Sequence, residues 1–127
     1  MKIVGTGVDI VENSRIKKSI LNNLFLNRGF TREEILISKK MKNKSSYFAK
    51  RFAAKEAFVK SLGTGFRNGF NFKDISVVND KLGKPTFFIT NKIKKMIKKK
   101  FKVNNFKFFL SISDEKKYSI AFVIFQK

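Results

Sequence analysis

Residues 51–65 read RFAAKEAFVKSLGTG. Alanine and large apolar residues alternate with charges at helical spacing. Ser45 or Ser46 can cap a helix that runs on through Leu62, and Gly63 is a natural C-terminal stop. The reading is a long central helix over 46–62. It places Glu56 and Lys60 on one face, at i and i+4 in the favoured order, an arrangement worth about 0.2–0.5 kcal/mol as a surface ion pair. Gly63-Thr64-Gly65 taken alone is a helix stop followed by a turn.

Segments of both kinds flank this helix. Residues 2–9, KIVGTGVD, form a predicted strand ending at an acidic residue. Asn13 or Ser14 caps a predicted helix to about Phe25, with Ile16, Ile20 and Leu24 inward. Thr31 and Glu34 have the spacing of a capping box, opening a short helix over 32–41. Beyond the glycines, 74–79 is a strand, 81–84 a turn, and the sole proline, Pro85, opens a strand through Ile89. Residues 91–102, NKIKKMIKKKFK, form a basic amphipathic helix with Ile93, Met96, Ile97 and Phe101 on one side. Residues 105–113 and 118–125 form a hairpin around Asp114–Lys117. No repeat or linker interrupts the chain. The expected class is α+β, one compact domain over 1–127 with an antiparallel sheet and a long central helix.

Composition narrows the chemistry. The 127 residues include no histidine and no cysteine. Histidine bases, Ser-His-Asp triads, thiolate catalysis and disulfides are therefore excluded. A metal would be held by oxygen, which points to a hard cation such as Mg2+. Asp9 and Glu12 interrupt the N-terminal apolar run, so it does not read as a signal peptide. No stretch approaches the roughly 20 apolar residues of a bilayer span. The expected location is the cytoplasm. Against 29 Lys and Arg stand 9 Asp and Glu, a formal charge of +20 that suits a polyanionic partner.

Four motifs occur in order: GTGVDIVE at 5–12, FAAKEAFVK at 52–60, GTGFRNGF at 63–70 and NDKLGKP at 79–85. Across essentially the whole chain this closely resembles the holo-[acyl-carrier-protein] synthase family, the short class of 4'-phosphopantetheinyl transferases. Phe52, Lys55, Glu56 and Lys60 match the superfamily signature F-x-x-K-E-x-x-x-K, and Gly7 to Val11 match its G-x-D-I-V. The resemblance implies transfer of phosphopantetheine from coenzyme A to a serine of acyl carrier protein, with adenosine 3',5'-bisphosphate as by-product, in support of fatty acid biosynthesis.

The site residues follow from that resemblance. Asp9 and Glu56 match the metal positions, and magnesium commonly takes one or two protein carboxylates beside phosphate oxygens. Lys60 becomes a cation aimed at the pyrophosphate. Arg51 matches a position directed at the nucleotide phosphates, which a planar guanidinium can grip twice. Gly63, Thr64 and Gly65 let the backbone approach the nucleotide. Lys55 is left to a structural role. Without histidine, the carrier serine is deprotonated by Glu56 or by a water on the metal. Asp114 stands where many members carry histidine.

Acyl carrier proteins are small and acidic, and the family docks them on its first helix. Arg15 and Lys18 share one face there, with Asn22 and Phe25 on a similar stripe. The resemblance further implies a homotrimer with active sites between subunits. The rival class is a small basic nucleic-acid-binding protein, favoured by charge and sixteen phenylalanines. The core-like spacing of those phenylalanines and the apolar stripe of 91–102 oppose it, and no specific nucleic acid or membrane partner is expected.

Overall fold

The structure is a computed structural model that describes residues 1–63 and 70–127. In chain order it contains β1 (Ile3–Glu12), α1 (Asn13–Ser19), α2 (Asn23–Gly29), α3 (Arg32–Ser38), α4 (Lys44–Leu62), a 3-10 turn (Phe72–Asp74), β2 (Ile75–Asn79), β3 (Pro85–Ile89), α5 (Asn91–Phe101), β4 (Lys107–Asp114) and β5 (Tyr118–Gln126). Two antiparallel sheets form, one ordered β1-β5-β4 and the other pairing β2 with β3. The α+β class stands, with α4 as the axis.

Helix α4 is wrapped on most sides. Tyr47, Phe48, Ala49, Ala53, Ala54, Ala57, Phe58, Val59 and Leu62 are all buried. Asn43 rather than a serine caps it, its side chain accepting from the Ser46 amide at 3.0 Å, while Gly63 ends it at φ 86°. Ala53, Ala57 and Ser61 form a stripe of small residues four apart, and β1 lies on it. A Cβ built on Gly5 would meet the Ser61 carbonyl oxygen at 2.0 Å, and one on Gly7 the Ala57 oxygen at 1.9 Å. Only glycine permits so close an approach. Since strand residues two apart share a face, Asp9 is the next β1 residue directed toward α4 after these glycines.

Phenylalanine supplies much of the remaining core. Phe108 lies between Phe58, tilted at a centroid distance of 4.5 Å, and Phe125, stacked at 4.7 Å. The buried side of α5 consists of Ile93 and Ile97, with Met96 and Phe101 half-buried and the lysines outward. The amphipathic reading of 91–102 is thus realised in packing.

The single helix expected over 13–25 is two. The side-chain oxygen of Asn22 accepts from the backbone amides of Leu24 and Phe25, which starts a second helix at the point where the first ends. The break leaves Leu24 exposed rather than inward, while Ile16 stays buried. Neither Asn13 nor Ser14 caps α1. Asn13 reaches the β4–β5 turn instead, donating to the Glu115 and Lys116 carbonyls and accepting from the Ser119 hydroxyl. Strand β1 continues past Asp9 to Glu12 because β5 pairs with it as far as Tyr118. Helix α3 stops at Ser38, whose hydroxyl turns back onto the Ile35 carbonyl.

Candidate active site

Asp9 and Lys60 meet across the β1–α4 contact. The Lys60 ammonium donates to Asp9 Oδ1 at 3.0 Å and to the Val8 carbonyl at 3.0 Å. The Asp9 side chain is 16% exposed and that of Lys60 48%. The carboxylate is therefore largely shielded, while its cation sits at the surface on a flexible stem. Glu56, half-buried, lies one turn before Lys60 on the same stripe of α4. The sequence reading joined Lys60 with Glu56; the structure adds the contact to Asp9, on a different element.

A hard cation fits this donor set. Asp9 and Glu56 offer oxygens only, and the Lys60 ammonium already stands against Asp9 Oδ1, so the carboxylate is oriented toward positive charge. Among the described residues no group of three or more acidic ligands forms. Two carboxylates match magnesium bound mainly through water and phosphate.

Arg51 is elsewhere. It lies nine positions before Lys60, which on an α-helix is about half a turn of azimuth and about 13.5 Å along the axis. Its guanidinium carbon lies 3.7 Å from the centroid of the Tyr47 ring, and Nη1 donates to the Tyr47 carbonyl at 3.4 Å. Nε has no hydrogen-bond partner among the described residues. Burial pulls the guanidinium below its ordinary pKa, and the Tyr47 hydroxyl and Glu34 act against that. Arg51 lines a cavity of about 170 Å³ with Asn79, Gly83, Pro85 and Asp114. The NDKLGKP segment shapes one wall, its Asp80 carboxylate accepting from the Leu82 and Lys84 amides at 2.9 Å while Gly83 adopts φ 85°. Lys60, bonded to Asp9, and Arg51, in the cavity that Asp114 helps to line, thus lie at separate places along α4.

The sequence model of the 4'-phosphopantetheinyl transferase superfamily matches residues 5–123. The chain belongs to this superfamily. It is similar to holo-[acyl-carrier-protein] synthase of Pelagibacter ubique, at 65% identity over 127 residues, covering 100% of this chain and 99% of that protein. The fold matches the crystal structure of holo-[acyl-carrier-protein] synthase from Neisseria meningitidis with a TM-score of 0.87 and 38% identity, covering 99% of this chain and 100% of that one. It also matches the synthase from Bacillus anthracis solved in complex with coenzyme A (3',5'-ADP), with a TM-score of 0.80 and 35% identity over 98% and 97% of the two chains.

The remaining motif residues take their places on this superfamily frame. Gly63 is the C-cap of α4; Thr64 and Gly65 lie outside the described residues. Arg15 and Lys18 are exposed on α1. Phe25 is half-buried on α2, its ring 5.9 and 5.7 Å from those of Phe30 and Phe52. Lys55 is fully buried and bonded to Glu34. Two contributors escaped the sequence reading. Glu34 was visible only as a capping-box residue, and nothing local marked it as the partner of a lysine on α4. Asp114 was read by its departure from histidine, without the Arg51 cavity it helps to line.

Proposed function

We propose that this chain is a magnesium-dependent transferase that moves 4'-phosphopantetheine from coenzyme A to a serine of apo-acyl carrier protein, serving fatty acid biosynthesis in the cytoplasm. The observation that carries the reading is the Asp9–Lys60 pair, with Glu56 one turn away, set across the glycine contact of β1 and α4 in this superfamily's fold. The Bacillus anthracis relative holds coenzyme A (3',5'-ADP). Among the described residues no helix is long and apolar enough to cross a membrane.

Asp9 and Glu56 are the residues that would hold magnesium. Once bound, the ion would neutralise charge on the pyrophosphate. The carrier serine attacks the pantetheine-side phosphorus, and the bond to the nucleotide-side phosphate breaks, releasing adenosine 3',5'-bisphosphate. Lys60 leaves Asp9 Oδ1 for the phosphate oxygens, where negative charge gathers in the transition state. In a chain without histidine, Glu56, or a water on the ion once bound, would accept the serine proton. Arg51 and Gly63, with Thr64 and Gly65, hold the nucleotide. Arg15 and Lys18 receive the acidic carrier.

Arg51 and Lys60 project from opposite sides of α4, so one chain does not turn both toward the phosphates of one coenzyme A. Two subunits do, if Arg51 of one faces Lys60 of the next. The outer face of the β1-β5-β4 sheet supports such an assembly. Val8 pairs with Phe122 and Ile10 with Ile120, and these four, with Phe109 and Tyr118, are 39–59% exposed. A contiguous apolar face of this kind marks an interface. The assembly proposed is the homotrimer, with residues 1–127 of each subunit as one catalytic domain.

The test is release of adenosine 3',5'-bisphosphate from coenzyme A, followed by chromatography. Release is expected only with apo-carrier protein and magnesium together. No release, or equal release with a carrier whose acceptor serine is alanine, would overturn the reading.

A further inference from the structure

Lys55 and Glu56 are neighbours on α4, about 100° apart in azimuth, and face different surroundings: Lys55 is buried and Glu56 half-buried. Lys55 is 0% exposed. Its ammonium donates to the Gly29 carbonyl at 3.0 Å, the Phe72 carbonyl at 3.1 Å and Glu34 Oε1 at 2.5 Å, so all three donors are used. Glu34, 2% exposed, also accepts from the Thr31 amide at 2.9 Å through Oε1 and from the Val77 amide at 3.0 Å through Oε2. One ion pair therefore joins α2, α3, α4, the 3-10 turn and β2.

Such a pair is a poor device for stability alone. Desolvating two charges offsets most of their attraction, and apolar replacements of buried pairs are often neutral or stabilising. Burial does pull the Lys55 ammonium below its ordinary pKa, against the opposing pull of Glu34. What the pair supplies is direction, since three fixed acceptors locate one ammonium. Two of those acceptors belong to Gly29 and Phe72, which line a cavity of about 370 Å³ with Asn22, Phe25, Arg28 and Phe52. Asn22 and Phe25 are the two residues read alongside Arg15 and Lys18 for carrier docking, and they reach this cavity from the start of α2 rather than from α1.

We infer that Lys55 is a positioning residue: it ties the docking-side cavity of α2 and the 3-10 turn to the helix that carries Glu56 and Lys60, and so sets where the carrier serine arrives relative to the reacting phosphorus. The inference rests on the proposed carrier-protein reaction. Lys55 touches neither substrate. Its loss therefore weakens carrier recognition and leaves coenzyme A binding alone, a split that a general loosening of the fold does not produce.

The experiment compares wild type with Lys55→Met, and with Lys55→Met/Glu34→Gln, in which no charge is left orphaned. Binding of apo-carrier protein and of coenzyme A is measured separately by calorimetry, beside the KM for each. The folded variants are expected to show about tenfold or more weaker carrier affinity and a correspondingly higher KM for carrier, the scale on which lost supporting contacts are felt, with coenzyme A affinity unchanged. The chain has no native cysteine, so Lys55→Cys can be aminoethylated in denaturant and refolded, which returns an ammonium to nearly the same place. Carrier affinity should return with it. Unchanged carrier binding in a folded variant, an equal loss for coenzyme A, or no rescue by aminoethylation would each overturn the inference. A wild type that binds carrier without transferring would overturn the proposed function while leaving this split readable; a wild type that binds no carrier would overturn both.

Discussion

Gly7→Ala is a one-methyl change with a calculable result. The added Cβ would stand 1.9 Å from the Ala57 carbonyl oxygen, 2.8 Å from the Ser61 nitrogen and 2.9 Å from the Ala57 carbonyl carbon. All three are backbone atoms of α4, so no rotamer change relieves the clash. Reaching even a 3.0 Å contact with the oxygen requires β1 and α4 to separate by about 1.1 Å, from 1.9 Å. Overpacking of this kind costs about 1–3 kcal/mol, and more where the backbone must move. At about 4 °C per kcal/mol the melting temperature falls by about 4–12 °C. The chemical loss should exceed the stability loss. Asp9 rides on β1 two residues from Gly7, and Glu56 and Lys60 ride on α4, so the same displacement pulls the site apart. Misplacement by about 1 Å can cost about 100-fold in rate. Thermal unfolding together with kcat/KM, taken well below the lowered melting point, checks this. Wild-type stability and turnover in Gly7→Ala would refute the claim that this contact sets the site.

Glu56→Gln and Asp9→Asn should each abolish most transfer in folded protein, and a chelator should do the same to wild type until magnesium is restored; near-normal turnover of Glu56→Gln would remove its role. Lys60→Ala should lose more than about 2 kcal/mol of transition-state stabilisation, read as kcat/KM, without weakening carrier binding. Arg15→Glu should raise the KM for carrier protein at low salt and leave that for coenzyme A near wild type, with a shallower salt dependence because fewer attractive contacts remain to be screened. Phe122→Asp places a charge at the centre of the exposed sheet face; light scattering should show smaller species than wild type, and transfer should fall with the assembly.

Long or strongly patterned elements were legible in the sequence. The alternation of β5 and the apolar stripe of α5 each reflect burial on one side, and burial is what hydrophobic spacing records; α4, wrapped on most sides, was legible instead from its length and its glycine stop. The capping box Thr31–Glu34 formed as read because both partners are local. The misreadings arose where a polar side chain chose among several backbone partners. Asn22 broke a helix that the apolar spacing alone would have continued. Asn13 found the β4–β5 turn, 102 and 103 residues away in sequence, rather than its own helix.

At the site, the motif spacing marked Asp9, Glu56 and Lys60. It did not reveal that Lys60 rests on Asp9, because that contact depends on how Gly5 and Gly7 seat β1 on α4. The opposite azimuths of Arg51 and Lys60 could have been computed from helical geometry. Their consequence, a site shared between subunits, takes meaning only beside the exposed apolar sheet face. The Lys55–Glu34 pair spans 21 residues and carries no periodic signal.

Intact-mass measurement of apo-acyl carrier protein, incubated with this chain, coenzyme A and magnesium, tests the central claim most directly. The account predicts a mass gain of one phosphopantetheine per carrier, located on a single serine, and little gain with Asp9→Asn over the same time. An unchanged carrier mass with folded, magnesium-supplied wild type, or the same gain with Asp9→Asn, would contradict it.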